Sequence, residues 1–221
     1  MARMRAPRLA AVALALAAPL LAAAPAAACS PVRGYRVPSN LELAARAELI
    51  IVGIAESEAP AADEHSLGEV VIRPVALLKG AELPATLRIA GSLSRDPRDV
   101  INSDPDDLQN PNPGVLTGAC TRYVFREGML LVLFLERDDL GVLRLAPYPF
   151  ARSAEDVPDD HALWVRAVGL YADIARLPEA QRRIALLERR KALREAGDRE
   201  SRLLADDIDR QLINPRVRSY D

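Results

Sequence analysis

The chain has few of the residues from which catalytic centres are usually built. It contains two cysteines and two histidines, and neither His65 nor His161 lies in a recognised catalytic motif. The sequence also lacks C-x-x-C, H-E-x-x-H and G-x-S-x-G patterns and a glycine-rich phosphate loop. We therefore predict a non-enzymatic protein with no catalytic residue, no metal site and no cofactor. A hydrolase that uses only carboxylates is the alternative that the sequence leaves open.

Acidic residues outnumber basic ones more clearly once the first 28 residues are set aside. These residues hold three arginines and no acidic residue, so the net charge of −2 for the whole chain becomes −5 without them. Nucleic-acid binding needs a basic surface, and attraction to anionic lipid needs basic clusters. The composition thus argues against nucleic acid as a partner and leaves an unknown protein partner as the expectation.

The first 28 residues have the order of a secretory signal peptide. A basic start at Arg3, Arg5 and Arg8 precedes an apolar run, Leu9 to Ala24, and small residues follow at Ala26 and Ala28. The run is shorter than the roughly 20 residues of a membrane span. We expect cleavage after Ala26 or Ala28 and an extracytoplasmic protein, periplasmic or secreted.

Cleavage after Ala28 makes Cys29 the new N-terminus, and this leaves two possibilities open. In an oxidising compartment Cys29 and Cys120 most simply form one disulfide, which closes a loop of about 90 residues and contributes about 4 kcal/mol. Two separate buried thiols are the alternative to that bond. In a lipoprotein, acylation of Cys29 tethers the chain to the membrane, and this is the only membrane association that we expect.

The residue pattern of the chain changes near Asp156. Before that point, short β-type runs alternate with turn residues, and a helix over Leu41 to Arg46 with Ser39 or Asn40 as its N-cap precedes the first run. The pattern predicts five strands, at Ala47–Glu58, Gly68–Leu78, Leu87–Ile89, Met129–Leu135 and Val142–Leu145. Pro74 indicates an edge or a bulge in the second of them. Few helices separate these strands, so we predict a small antiparallel barrel of the OB type.

After Asp156 the sequence reads as helix almost to its end. Three helices are predicted, over His161–Arg176, from Pro178 to Glu195 with Gly197 as the stop, and over Arg199–Leu212. The fold prediction is therefore α+β, with a signal peptide at 1–28, a barrel domain at 29–155 and C-terminal helices at 156–221. The last two helices are highly charged, which favours a solvated hairpin over a partner-binding arm.

Two acidic features have residue types that can bind a metal ion. The polar stretch from Ser92 to Thr117 holds five aspartates, which suits calcium, but the spacing does not match the EF-hand loop, and we favour a solvated flexible loop. His161 follows Asp159 and Asp160 at a helix start, where acidic residues are ordinary partners of the helix dipole.

The arrangement from Cys29 to Phe150 resembles the netrin-like, tissue-inhibitor-of-metalloproteinases type of barrel. The resemblance is carried by Cys29-Ser30-Pro31 before a short helix, by the strand ending Leu77-Leu78-Lys79-Gly80, and by Phe125-Arg126-Glu127-Gly128 entering Met129 to Leu135. It implies an OB-type fold whose N-terminal cysteine is tied to the barrel. In the inhibitor branch the amine and carbonyl of that cysteine chelate the target's zinc and the next residue enters the specificity pocket, roles that fall here to Cys29 and Ser30.

Overall fold

The computed structural model describes residues 32–59, 68–117, 119–213 and 219–220, all of which belong to one compact unit. The fold is α+β, an antiparallel sheet with four helices. The strands are β1 (Tyr35–Arg36), β2 (Leu49–Ala59), β3 (Glu69–Lys79), β4 (Leu87–Ala90), β5 (Ser92–Ser94), β6 (Val124–Arg126), β7 (Leu130–Arg137), β8 (Leu143–Leu145), β9 (Ala154–Asp156) and β10 (Ser219–Tyr220). The helices are α1 (Asn40–Arg46), α2 (Leu163–Ala175), α3 (Glu179–Ala196) and α4 (Arg199–Leu212).

The main sheet has the strand order β4-β3-β2-β7, and both β8 and β9 pair with the outer edge of β7. β2, β3 and β4 are consecutive antiparallel neighbours, and β7 returns after a long connection to lie beside β2. This spatial order is a Greek key. Within the described residues no strand pairing joins β4 to β8, so the sheet is not closed.

The two central strands are apolar on both faces because both faces are covered. Leu131 and Leu133 of β7 pack in one hydrophobic cluster with Ile51 of β2. The alternate residues Val132 and Phe134 pack in a second cluster, which also contains residues of the helices. This explains why the runs at β2 and β7 show no polar alternation in the sequence.

Pro74 lies where the prediction places it, at an irregular and partly unpaired part of β3. It is opposite Gly53 of β2, next to a shift of register between Val52 and Gly53. β4 pairs with β3 only as far as Ile72, so no β4 residue pairs with Pro74 on its other side. A proline is tolerated here because the ladder does not require its missing N–H group.

The helix boundaries agree closely with the sequence. Pro178 is the N-cap residue of α3 rather than its first residue, and Gly197 ends that helix in the left-handed region at φ +72°. α4 spans the predicted range, with Asp198 as its N-cap. The expected solvated hairpin describes α3, which buries only Leu186, but α4 buries five residues and is part of the core.

The hydrophobic core does not divide at Asp156. One cluster joins Ile50, Val52, Val132 and Phe134 of the sheet to side chains of all four helices. Its large buried members from α2 are Trp164 and Tyr171. The helices therefore cover one face of the sheet, as is typical of two-layer α+β folds.

Candidate functional site

The N-terminal segment of the described chain is hydrogen-bonded to the region formed by Cys120, Pro149 and Phe150. This region is called the Cys120 corner below. The hydroxyl of Tyr35 in β1 donates a hydrogen bond to the carbonyl of Pro149 at 3.0 Å. The next residue, Phe150, donates its backbone N–H to the carbonyl of Cys120 at 2.7 Å. Cys120 itself is buried, with 2% of its surface exposed. Two contacts thus connect the start of the described chain to Cys120.

This corner has an unusual backbone. Cys120 and Phe150 are the two described residues other than glycine with positive φ, at +58° and +59°. For a residue with a side chain, a backbone conformation with positive φ costs on the order of 1 kcal/mol or more. The surrounding contacts must therefore hold Cys120 and Phe150 in it. The hydrogen bond between the two backbones is one such contact.

Cys29 and Ser30 lie outside the described residues, as does His65. The disulfide and the inhibitory contact therefore stay predictions. Tyr35 follows Cys29 by six positions, and a chain of that length spans at most about 20 Å. The fastening of Tyr35 at this corner is compatible with a bond between Cys29 and Cys120.

α1 fixes the other end of the N-terminal segment. Of the two N-cap candidates, Ser39 is the cap, and it forms a capping box with Glu42. Arg36 of β1 pairs with the same Glu42 carboxylate. Burial alone would raise the pKa of Glu42, but the hydrogen bonds from Arg36 and Ser39 prevail and lower it.

Lys79 holds the opposite end of α1, a role that the sequence does not reveal. Its ammonium group donates to three backbone carbonyls there, the shortest contact being 2.6 Å to Ala47. Burial, together with the positive charges of Arg176 and Arg182, lowers the pKa of Lys79. Cations are favourable at a helix C-terminus, and Lys79 also satisfies the exposed carbonyls.

Asn40 connects α1 to α4 through the buried carboxylate of Asp207. Its side-chain amide donates to Leu108 at 2.8 Å and to Asp207 at 3.1 Å. Asp207 is fully buried and also accepts from the hydroxyl of Tyr171 and from Arg210. Burial first, and then the negative charge of Asp207, raise the pKa of Tyr171 well above its ordinary value. A narrow crevice of about 60 Å³ lies beside these residues.

The acidic stretch from Ser92 to Thr117 is anchored to β9 by a buried polar network. Asn112 donates its backbone N–H to Glu155 at 2.9 Å, and Ser103 donates to the same carboxylate at 2.7 Å. Arg122 is buried and pairs with Asp156 at 2.5 Å. The expectation of a solvated loop therefore describes only part of this stretch.

Arg152 completes this network from within the core. Its guanidinium lies 3.8 Å from the ring centroid of Trp164 and 3.4 Å from Glu155. The Nε of Arg152 and the indole nitrogen of Trp164 are buried donors without a hydrogen-bond partner. Such groups cost free energy, which the stacking contact and the ion pair offset.

The aspartates of the acidic stretch bind the protein's own groups. Asp96 accepts from the backbone and side chain of Arg98, and Asp106 forms a two-point pair with Arg199 at the start of α4. The hydrogen bond from Arg199 lowers the pKa of Asp106. In the described part of the chain no group of three or more histidine, cysteine or acidic residues is placed to hold a metal ion.

His161 lies at the surface, with 92% of its side chain exposed, 3.6 Å from Asp160. Its backbone N–H donates to Asp159 at 2.8 Å in a turn that precedes α2. α2 begins at Leu163 with no acidic residue in its first turn and no side-chain cap, so the expected role of Asp159 and Asp160 as partners of the helix dipole is not observed.

No protein-family model matches this chain, and no curated protein matches it. None of the four described helices combines the length and apolar character that a membrane span requires.

Proposed function

We propose that the chain is an exported, non-enzymatic binding or structural protein. Its body is an OB-type barrel of the netrin-like kind, and a Cys29–Cys120 disulfide ties the processed N-terminus to that body. Its expected partner is an unidentified protein, and neither nucleic acid nor a cofactor is expected.

The strand order supports the barrel. An OB-fold is a partly open five-stranded barrel with Greek-key connections, and the sheet contains a Greek key with β8 added beside β7. The two outer strands approach each other through side chains. Glu69 of β3 lies 3.4 Å from Arg88 of β4 and 3.4 Å from Arg144 of β8. One carboxylate thus bridges the edges that a closed barrel would join by backbone hydrogen bonds.

The observation that carries the proposal is the fastening of the N-terminal segment at the Cys120 corner. The bonds from Tyr35 to Pro149 and from Phe150 to Cys120 bring the beginning of the described chain to the second cysteine. A disulfide at Cys120 would further restrain a region that already contains two residues with positive φ. Rigid attachment suits a binding role, because a preorganised segment loses less entropy when it meets a partner.

Intact mass spectrometry of the protein, expressed in bacteria with its own leader, tests the proposal. We expect a mass corresponding to cleavage before Cys29, lower by about 2 Da than the reduced chain. A variant with Cys120→Ser should lose this deficit and expose one reactive thiol. A gain of several hundred daltons would mean lipidation of Cys29 and a tethered protein. A mass without deficit or gain would contradict the disulfide.

Inhibition of a metalloprotease through Cys29 and Ser30 is the second candidate. The anchoring of Tyr35 and Asn40 favours it, since an inhibitory N-terminus has to be held rigidly. The test compares the mature protein with a form that carries one extra residue before Cys29, on a panel of zinc proteases. Inhibition by the mature form alone supports the hypothesis. Equal behaviour of the two forms rejects it.

A further inference from the structure

The crevice beside Asp207 is a small cavity at the meeting point of four chain segments. Its lining comes from the segment that leads into α1, the acidic stretch, the chain before β9 and the C-terminal half of α4. Its volume is about 60 Å³. One water needs about 10–15 Å³ of such space, so the crevice has room for a ligand group of a few atoms. Part of the lining is apolar, with Val37, Leu108 and Phe150.

The polar residues of this lining supply donors that lack an acceptor. Arg152 lines the crevice, only 4% of its side chain is exposed, and its Nε is a buried donor without a hydrogen-bond partner. Ser39, Arg210 and Gln211 line it as well. The Ser39 hydroxyl, Nη1 of Arg210 and the amide NH₂ of Gln211 donate to no acceptor in the described part of the chain. A buried donor without an acceptor costs free energy, so a ligand that brings one is stabilised here.

A carboxylate is the acceptor that fits these donors. Arg152 and Arg210 are the two arginines of the lining, and guanidinium groups form strong, charge-assisted hydrogen bonds to carboxylates. Asp207, the acidic residue of the lining, already accepts from three donors. Glu155 pairs with Nη2 of Arg152 at 3.4 Å and leaves its Nε without an acceptor. The chain as a whole is acidic, so the attraction for an anion is local to the crevice.

We propose that this crevice binds a carboxylate group, with Arg152 as its main donor and Ser39 and Gln211 as further donors. The small volume limits the ligand to the carboxylate and a short carbon stem, which the apolar lining residues suit. The carboxylate belongs either to a free small acid or to an aspartate or glutamate side chain of a partner protein. The second source rests on the proposed binding function, whereas the site itself does not.

Titrations of the mature protein followed by NMR test the site. The probes are acetate, its uncharged analogue acetamide, a capped Gly-Asp-Gly peptide and the same peptide with Asn in place of Asp. Acetate should cause saturable shifts of the Arg152 Nε–H and Gln211 amide signals, and acetamide should bind about tenfold more weakly because it lacks the charge. Tighter binding of the Asp peptide than of acetate would assign the carboxylate to a partner's side chain. Equal binding of the two would assign it to a free small acid.

Three variants locate the binding. Gln109 is exposed and lines the crevice, so Gln109→Glu should weaken acetate binding several-fold by placing a like charge beside it. Gln181→Glu, at an exposed residue of α3 outside the lining, adds the same charge and should leave the binding unchanged. Arg152→Lys keeps the positive charge but lacks Nε and should abolish the acetate-induced shifts of Gln211. If circular dichroism shows that Arg152→Lys does not fold, the two glutamine variants still decide.

Three results would overturn the proposal. They are the absence of saturable shifts with every probe, which would mean that the crevice holds water only, equal binding of acetamide and acetate, and equal effects of Gln109→Glu and Gln181→Glu. This site and the proposed disulfide fail separately, because no cysteine of the described chain lines the crevice. A negative titration leaves the disulfide to the mass measurement, and a mass without the disulfide leaves the crevice intact.

Discussion

At the level of single residues, the hydrogen bond from the Tyr171 hydroxyl to Asp207 should contribute measurably to the stability of the fold. Asp207 is fully buried, and Tyr171, Asn40 and Arg210 are its hydrogen-bond partners. A buried carboxylate is costly unless it is hydrogen-bonded, so every donor that it loses should be felt.

Tyr171→Phe should lower the free energy of unfolding by about 1–3 kcal/mol, because it leaves one carboxylate oxygen of Asp207 with the Asn40 amide alone. Urea unfolding followed by the fluorescence of Trp164 gives the value. Tyr123→Phe is the matched control, since the hydroxyl of Tyr123 has no hydrogen-bond partner among the described residues, and it should change stability by less than about 0.5 kcal/mol. Equal effects of the two changes would contradict this account of Asp207.

The buried pair of Arg122 and Asp156 leads to a second prediction. Only 2% of the Arg122 side chain is exposed, and it also donates to the carbonyl of Ile101. Arg122→Met should cost about 3 kcal/mol, because it removes the only counter-charge paired with Asp156 among the described residues and leaves that largely buried carboxylate with uncharged hydrogen-bond donors alone. Arg88→Met removes the same charge from a pair whose arginine is 59% exposed, and should cost less than about 1 kcal/mol. The denaturant midpoints of both variants give the loss of stability. A loss in the Arg88 variant as large as in the Arg122 variant would refute the prediction.

The buried polar residues show where sequence reasoning stops. The cap of α1 could be predicted as Ser39 or Asn40, because both residue types favour the position directly before a helix. Asn40 and Asp207 are 167 positions apart, and Arg122 and Asp156 are 34 apart. No local pattern joins residues so distant, so the sequence alone does not reveal these contacts.

At the scale of elements, α1 is a helix whose two ends are both bound by side chains. Its N-terminus has the capping box and its C-terminus has Lys79. Because it carries the N-terminal segment, its stability bears directly on the candidate site. Its acidic cap residue also makes that stability depend on pH.

Glu42→Gln should flatten the pH dependence of stability on the acid side. The pKa of Glu42 is lowered in the folded state, so its carboxylate stabilises the fold above the ordinary glutamate pKa, and this contribution is lost as the pH falls through the lowered value. The wild type should therefore lose more stability than the variant between neutral pH and about pH 3, by up to about 1 kcal/mol, the usual worth of a cap. Glu82→Gln, at an exposed residue with no partner in the described chain, should leave the pH profile unchanged. Parallel profiles of Glu42→Gln and the wild type would show that the capping charge does not matter.

Elements with a strong apolar pattern or a clear turn beside them were predictable, and isolated short strands were not. α4 and the strands β2, β3, β4 and β7 follow from apolar patterns, and the three-residue β8 follows from the turn that separates it from β7. β5, β6 and β9 also have three residues each, but in the described chain none of them forms a hairpin with the strand next to it in sequence. β9 also carries Glu155 and Asp156, whose charges suggest a loop until the buried arginines that neutralise them are known.

At the scale of the whole molecule, the sheet and the helices share one core. Trp164, Val168 and Tyr171 of α2 belong to the same hydrophobic cluster as Val132 and Phe134 of β7. The residue pattern changes from strand-like to helix-like at Asp156. This change reflects a change of secondary structure and not the boundary of a hydrophobic core. Residues 29–155 form a domain by themselves only if the sheet stays folded without the helices that pack on it.

A fragment from Cys29 to Val157 should fail to fold cooperatively. It keeps every strand of the main sheet but exposes the apolar residues of β2 and β7 that the helices cover, and burial of such side chains contributes about 1.5–3 kcal/mol each. Since whole domains are stable by only about 5–15 kcal/mol, losing several of these contacts exceeds the available stability. Circular dichroism during urea titration should show a broad, non-cooperative change in the fragment and a sharp transition in the full mature chain. Adding the separate segment from Pro158 to Asp221 should restore the sharp transition if the shared core is the cause. A fragment that unfolds sharply without that segment would establish the barrel as an independent domain.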